Sequence, residues 1–103
     1  MIKYLEKLED FENETKGSVV VDFYADWCNP CRMLGHVLEE MVEEDSTINV
    51  LKINVDKFQS IAFKFNVSSI PSVFIFKDGK QVHDFLGFRG KDELKEIFDK
   101  FLK

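Results

Sequence analysis

The sequence predicts a mixed α/β fold, a central sheet of about five strands flanked by four helices, and three observations predict it. Strand and helix signals alternate along the chain with short connections. The run Ser18–Ala25, SVVVDFYA, is β-branched and aromatic with almost no alternation, as a central strand buried on both faces requires. Asp78-Gly79 between two apolar runs marks a hairpin near the C-terminus. With 103 residues, 45% of them apolar, the chain suits one domain over 1–103 that fills its core without metal or disulfide staples.

Taken in order, Ile2–Leu5 reads as a short edge strand, and Leu8 and Phe11 among polar neighbours as a brief helix ending near Gly17. Ser18–Ala25 follows as the central strand, with one residue out of place, Asp22. Met33, Leu34, Val37, Leu38, Met41 and Val42 recur at helical spacing and form the stripe of a long amphipathic helix, with Glu39–Asp45 on its solvated face. Pro30 is tolerated in the first turn, where its missing N–H has no intrahelical partner, so the helix begins at Cys28-Asn29-Pro30-Cys31. Ile48–Val55 alternates, with Leu51, Ile53 and Val55 on one face and Lys52 on the other, a second strand that carries a charge. Gln59–Phe65 holds Ile61, Ala62 and Phe65 at helical spacing and is interrupted by Ser69-Ile70-Pro71-Ser72. Val73–Phe76, the Lys77-Asp78-Gly79-Lys80 turn and Gln81–Leu86 form an antiparallel hairpin. Leu94, Ile97, Phe98 and Phe101 give a C-terminal helix whose apolar face must cover the sheet. The order β-α-β-α-β-α-β-β-α makes the sheet mixed, with helices on both faces, when the early strands pair in parallel through helical crossovers.

Fourteen basic against nineteen acidic side chains leave a net charge of −5, the wrong sign for a surface that tracks phosphates, so no nucleic-acid partner is expected. The longest apolar stretches, Val19–Val21 and Val73–Phe76, fall far short of a bilayer span, and Met1, Lys3, Glu6 and Lys7 open the chain without an apolar signal segment. No membrane partner, a cytoplasmic location and, by default, a monomer are the resulting expectations. The eleven phenylalanines fall mostly on strand or helix core positions, which points to packing rather than base stacking. Gly87 and Gly90 make no phosphate loop, since no GxGxxG or Walker pattern accompanies them.

Cys28 and Cys31 lie three positions apart, and a bridge between them closes too small a loop to staple the fold. Such a pair in a cytosolic chain is more often redox-active or metal-binding than structural. The thiolate is the reactive form, and a helix starting at Cys28 offers it unpaired N–H groups and the positive end of its dipole. Cys31, one turn in, points back toward Cys28 and can resolve a mixed disulfide by attacking it. A zinc site would need His36 and His83 as further ligands; the first is inside a helix and the second on the hairpin facing solvent, so no metal is expected.

Trp27-Cys28-Asn29-Pro30-Cys31, preceded by Val19-Val20-Val21-Asp22-Phe23-Tyr24-Ala25, resembles the thioredoxin family, in which W-C-G-P-C follows a V-D-F-W-A strand. Lys52-Ile53-Asn54-Val55-Asp56, Ile70-Pro71, Phe76-Lys77-Asp78-Gly79 and Gly87 follow in family order, so the resemblance covers essentially the whole chain. It implies the thioredoxin fold and a thiol-disulfide oxidoreductase that reduces protein disulfides through a reversible Cys28–Cys31 couple. Cys28 would be the nucleophile and Cys31 the resolving thiol. Asp22 would be the buried acid that exchanges a proton with Cys31, its pKa raised by burial and pulled back by Lys52. Pro71 matches the family's cis-proline, which leaves the backbone of Ile70 to dock an extended substrate; Trp27, Asn29, Pro30, Ile70, Pro71 and Gly87 make up the substrate surface. The partners implied are disulfide-containing client proteins and a flavin-containing, NADPH-dependent thioredoxin reductase. No bound cofactor is expected, since the sulfurs carry the electrons.

Three positions depart from the family pattern. Asn29 stands where glycine is usual and bears on the redox potential. His36 replaces a helix-kinking proline, so that with Gly35 the helix is expected to be straighter or locally soft. Tyr24 replaces the first tryptophan and leaves Trp27 the only indole. Two alternatives stand beside the reductant: a disulfide oxidase or isomerase, supported only by Asn29 and opposed by Pro30, and a redox-independent binding module that uses the Trp27–Pro71 surface.

Overall fold

A computed structural model describes residues 1–103. Its elements are β1 Ile2–Tyr4, α1 Phe11–Glu14 after a 3-10 turn at Leu8–Asp10, β2 Val19–Tyr24, α2 Asn29–Glu44, β3 Val50–Asn54, α3 Gln59–Lys64, β4 Ser72–Lys77, β5 Lys80–Leu86 and α4 Lys91–Phe101. The five strands form one mixed sheet in the order β1-β3-β2-β4-β5. β3 pairs in parallel with β1 and β2, whereas β2–β4 and β4–β5 are antiparallel.

The composition of β2 explains its central place. Val19, Val21 and Phe23 pack on one face with Leu51, Ile53 and residues of α3, while Val20 faces Leu34 and Leu38 of α2 and Leu94 and Phe98 of α4. A strand with both faces removed from water needs an apolar run rather than an alternating one. Asp22 shares the Val20 face, under α2, because side chains alternate along a strand. Its register partners are Lys52 on β3 and Val73 on β4, and Lys52 lies opposite Tyr4 on β1. Paired residues project to the same face, so the sheet register alone brings together the two charges that stand out in the strands.

Local backbone devices then place the loops. α3 ends on Asn66, at φ 57, with Asn66 N–H donating to the Phe63 carbonyl at 3.0 Å and Val67 N–H to that of Ala62 at 2.9 Å. This double closure satisfies the last carbonyls of the helix and turns the chain toward Ile70. Asp78 and Gly79, at φ 53 and 81, supply the two positive φ angles of a tight hairpin turn.

Several expectations need correction. The strand expected over Ile48–Val55 is confined to Val50–Asn54, and α1 closes at Thr15, short of Gly17. Met33 is 53% exposed, because α2 buries the row Cys31, Leu34, Leu38 and Met41 and the residue beside Leu34 lies about 100° round the helix axis. His83 does not face open solvent; it stacks on Phe101 of α4, ring centroids 4.1 Å apart and planes 7° apart. α2 runs unbroken through Gly35 and His36. No helix is long and apolar enough to cross a membrane.

Candidate active site

β2 delivers the chain to the start of α2, and Cys28 caps that helix: it is extended, at φ −91 and ψ 111, and its Sγ accepts the N–H of Cys31 at 3.2 Å. Pro30 lies in the first turn, where its lack of an N–H costs no helical bond. Cys28 and Cys31 are joined in a disulfide, with Cα atoms 5.2 Å apart, and pack against Ala25, Tyr24, Val55 and Ile70. The helix N-terminus and the Cys31 N–H therefore both favour negative charge on the Cys28 sulfur when the pair is reduced.

The loop between α3 and β4 stands opposite. The Ile70–Pro71 peptide is cis, and the Ile70 carbonyl oxygen lies 3.8 Å from Cys28 Sγ. In the disulfide that sulfur has no proton to donate, so the approach is a van der Waals contact. Neither the N–H nor the carbonyl of Ile70 takes part in a backbone hydrogen bond. The Pro71 carbonyl accepts the N–H of Gly87 at 2.8 Å, which fastens this loop to the end of β5, where Gly87 holds φ 89. Of the residues expected on the substrate surface, Trp27 is 70% exposed and Asn29 and Pro30 are exposed; Ile70 and Gly87 are half-buried, and Pro71 itself is buried. Pro71 thus reaches the surface through its neighbours' backbone rather than through its ring.

Asp22 is fully buried, and neither carboxylate oxygen has a hydrogen-bond partner. Burial pushes its pKa up to about 6, against the opposing pull of the Lys52 ammonium, whose Nζ lies 4.0 Å from Oδ2. A Cβ at Gly35 would meet that Nζ at 3.2 Å. Gly35 is one turn beyond Cys31, so the Asp22–Lys52 pair lies beneath the helix face that carries Cys31.

Some site residues are not legible from the sequence. The indole N–H of Trp27 donates to Asp56 Oδ2 at 3.0 Å, Arg32 donates to Asn29 Oδ1 at 3.1 Å and to the Asp26 carbonyl at 3.2 Å, and Phe88 lies exposed beside Gly87. A lone aspartate after a strand carries no signal of a partner 29 positions away. Arg32 had one, since it sits three residues from Asn29, a spacing that shares a helix face. His36 is exposed on α2 and His83 lies on β5.

A helix-capping cysteine disulfide at the end of the central strand of a mixed sheet, faced by a cis-proline loop with an unpaired backbone, defines a thiol-disulfide redox protein. The Thioredoxin family model matches residues 3–100. A thioredoxin of Staphylococcus haemolyticus is 46% identical over 92 residues, 88% of each chain, and one of Staphylococcus aureus is 42% identical over 95 residues, 90% of this chain and 91% of the relative. Among solved structures, a mutant thioredoxin from Halobacterium salinarum superimposes with a TM-score of 0.89 at 34% identity, over 99% of this chain and 91% of that one. Thioredoxin NaTrxh from Nicotiana alata gives 0.88 at 29%, over 99% and 93%. The chain belongs to the thioredoxin family. It is a thiol-disulfide oxidoreductase whose Cys28–Cys31 pair reduces disulfides of client proteins.

Proposed function

We propose that residues 1–103 act as one domain, monomeric and cytoplasmic, that serves as a general reductant and is itself re-reduced by an NADPH-dependent flavoenzyme, thioredoxin reductase. A client segment lies extended across Trp27, Asn29, Pro30 and Gly87 and pairs with the backbone of Ile70, with Pro71 fixing that loop. Cys28 thiolate attacks one client sulfur and forms a mixed disulfide as the other client sulfur leaves as thiolate. Cys31 passes its proton to the Asp22 carboxylate and attacks the Cys28 sulfur. The second client thiolate departs, two electrons have reached the client, and the protein holds the Cys28–Cys31 disulfide. The reductase returns two electrons. Lys52 tempers the carboxyl, whose pKa of about 6 keeps both its forms accessible near neutrality, as proton exchange in both directions requires.

The observation that carries this reading is the unpaired Ile70 backbone standing 3.8 Å from Cys28 Sγ, since it offers strand-like hydrogen bonds to any extended segment beside the reactive sulfur. The reduction potential tests it. Equilibration in defined thiol-disulfide buffers, read by alkylation and mass, is expected to give about −270 mV; about −180 to −120 mV would instead indicate isomerase or oxidase work. Cys28→Ser is expected to abolish client reduction, and activity in cells that survives this change would support the redox-independent binding module.

A further inference from the structure

Lys52 is held by more than Asp22. Its Nζ stops 4.0 Å from Asp22 Oδ2, outside hydrogen-bond reach, although the side chain is only 11% exposed. The ammonium lies 4.6 Å from the centroid of the Tyr24 ring and 5.5 Å from that of Tyr4. The two rings meet edge to face, centroids 6.1 Å apart and planes at 78°, and Gly35 leaves room for the ammonium on the α2 side. A lysine this buried ordinarily closes on a carboxylate or reaches for water. An aromatic face offers a third place, because its quadrupole attracts a cation within about 6 Å of the centroid.

We infer that Tyr4 and Tyr24 are positioning residues for Lys52: their rings hold its ammonium beside Asp22 and away from water, and so fix the positive charge felt by the proton-exchanging carboxyl. The inference rests on the reading of Asp22 as the proton partner of Cys31. Lys52 is the one charge that the elements packed around Asp22 bring to it. β3 brings Lys52, β2 Tyr24, β1 Tyr4 and β4 only Val73; the buried faces of α2 and α4 carry no charge apart from what Cys31 bears when reduced. Asp26 acts on Tyr24. Without the rings, hydration draws the ammonium outward, Asp22 loses the one positive charge beside it, and its titration moves upward.

The experiment follows the Asp22 carboxyl by carbon NMR through pH in the oxidised protein, where neither cysteine titrates. It compares the parent with Tyr4→Leu, Tyr24→Leu, Tyr4→Phe, Tyr24→Phe and Lys52→Met. In the Leu variants the midpoint is expected to rise by about half a pH unit or more, while the Phe variants, which keep the ring, titrate with the parent. In a Lys52→Met background the Leu substitutions are expected to have no further effect, which a merely structural role would not produce. Tyr4 is an edge-strand residue, 56% exposed, so Tyr4→Leu remains informative should Tyr24→Leu fold poorly. Leu variants that titrate with the parent, Phe variants that move as far as Leu, or shifts that persist without Lys52 each overturn the inference. A rise in the midpoint that the pH profile of mixed-disulfide resolution does not follow supports the role of the rings and removes Asp22 as proton partner.

Discussion

Asp22 sits in a strand whose other residues are apolar, with both oxygens unpaired, and this makes it a cost to the fold as well as a group for chemistry. Its pKa rises from 3.8 to about 6, so between those values the native state binds more protons than the unfolded chain. The Asp22 contribution to stability is therefore most favourable below about pH 4, falls as pH climbs through about 6, and is flat above, a difference on the order of 3 kcal/mol for a carboxyl so displaced. Asp22→Asn removes the ionisation and is expected to flatten this fall. Urea denaturation of parent and variant at pH 5 and pH 8 checks it, and an equal gain at both values would show that desolvation is not the cause. On the role proposed for Asp22, the same variant leaves Cys31 without a proton acceptor. Resolution of a mixed disulfide is expected to slow by about a hundredfold while the first attack by Cys28 is little changed, and stopped-flow traces in which both steps slow together would oppose this.

Secondary elements reach the site mainly through how they end. α3 stops at Asn66 in the left-handed region, φ 57, a conformation that side chains with a Cβ disfavour by about 1–2 kcal/mol and that asparagine tolerates better than most. Asn66→Ala is expected to destabilise the protein by about 1 kcal/mol and Asn66→Gly to be neutral or mildly stabilising. Paired denaturation curves measure both, and equal effects of Ala and Gly would mean that the backbone angle is not what Asn66 supplies. Periodicity made the elements legible because it reports burial: the unbroken apolar run of β2, the helical stripes of α2 and α4 and the Asp-Gly turn all carry their partner surfaces in their spacing. It does not say which surfaces meet. Hence His83 reads as a solvent-facing histidine until α4 is folded over it, and Met33 reads as core until the axis of α2 is fixed by Leu34 and Leu38.

Across the whole molecule, the reactive pair was readable from a three-residue spacing and from resemblance, whereas its environment was assembled from far apart in the chain. Cys28 meets Ile70 at a separation of 42 positions and Trp27 meets Asp56 at 29; Lys52 on β3 gathers Tyr4 from β1 and Asp22 and Tyr24 from β2. The fold that holds them together does not depend on the bridge. Two buried clusters, one on each face of the sheet, span all of its strands, and a disulfide with a sequence separation of 3 closes a loop whose constraint on the unfolded chain is only about 2 kcal/mol. Charge stabilisation of a Cys28 thiolate by the α2 N-terminus works the other way, favouring the folded dithiol. The reduced protein is thus expected to unfold cooperatively and to lose no more than about 2 kcal/mol relative to the oxidised form. Because folding and reduction form a closed cycle, the same difference must appear as the gap between the potential of the folded pair and that of the unfolded chain, about 30 mV for each 1.4 kcal/mol. Urea curves with and without excess reductant, set beside potentials measured in native and denaturing buffers, test both legs. A reduced protein without a cooperative transition would place the bridge among the supports of the fold, and that would be incompatible with a pair that must open and close in every turnover.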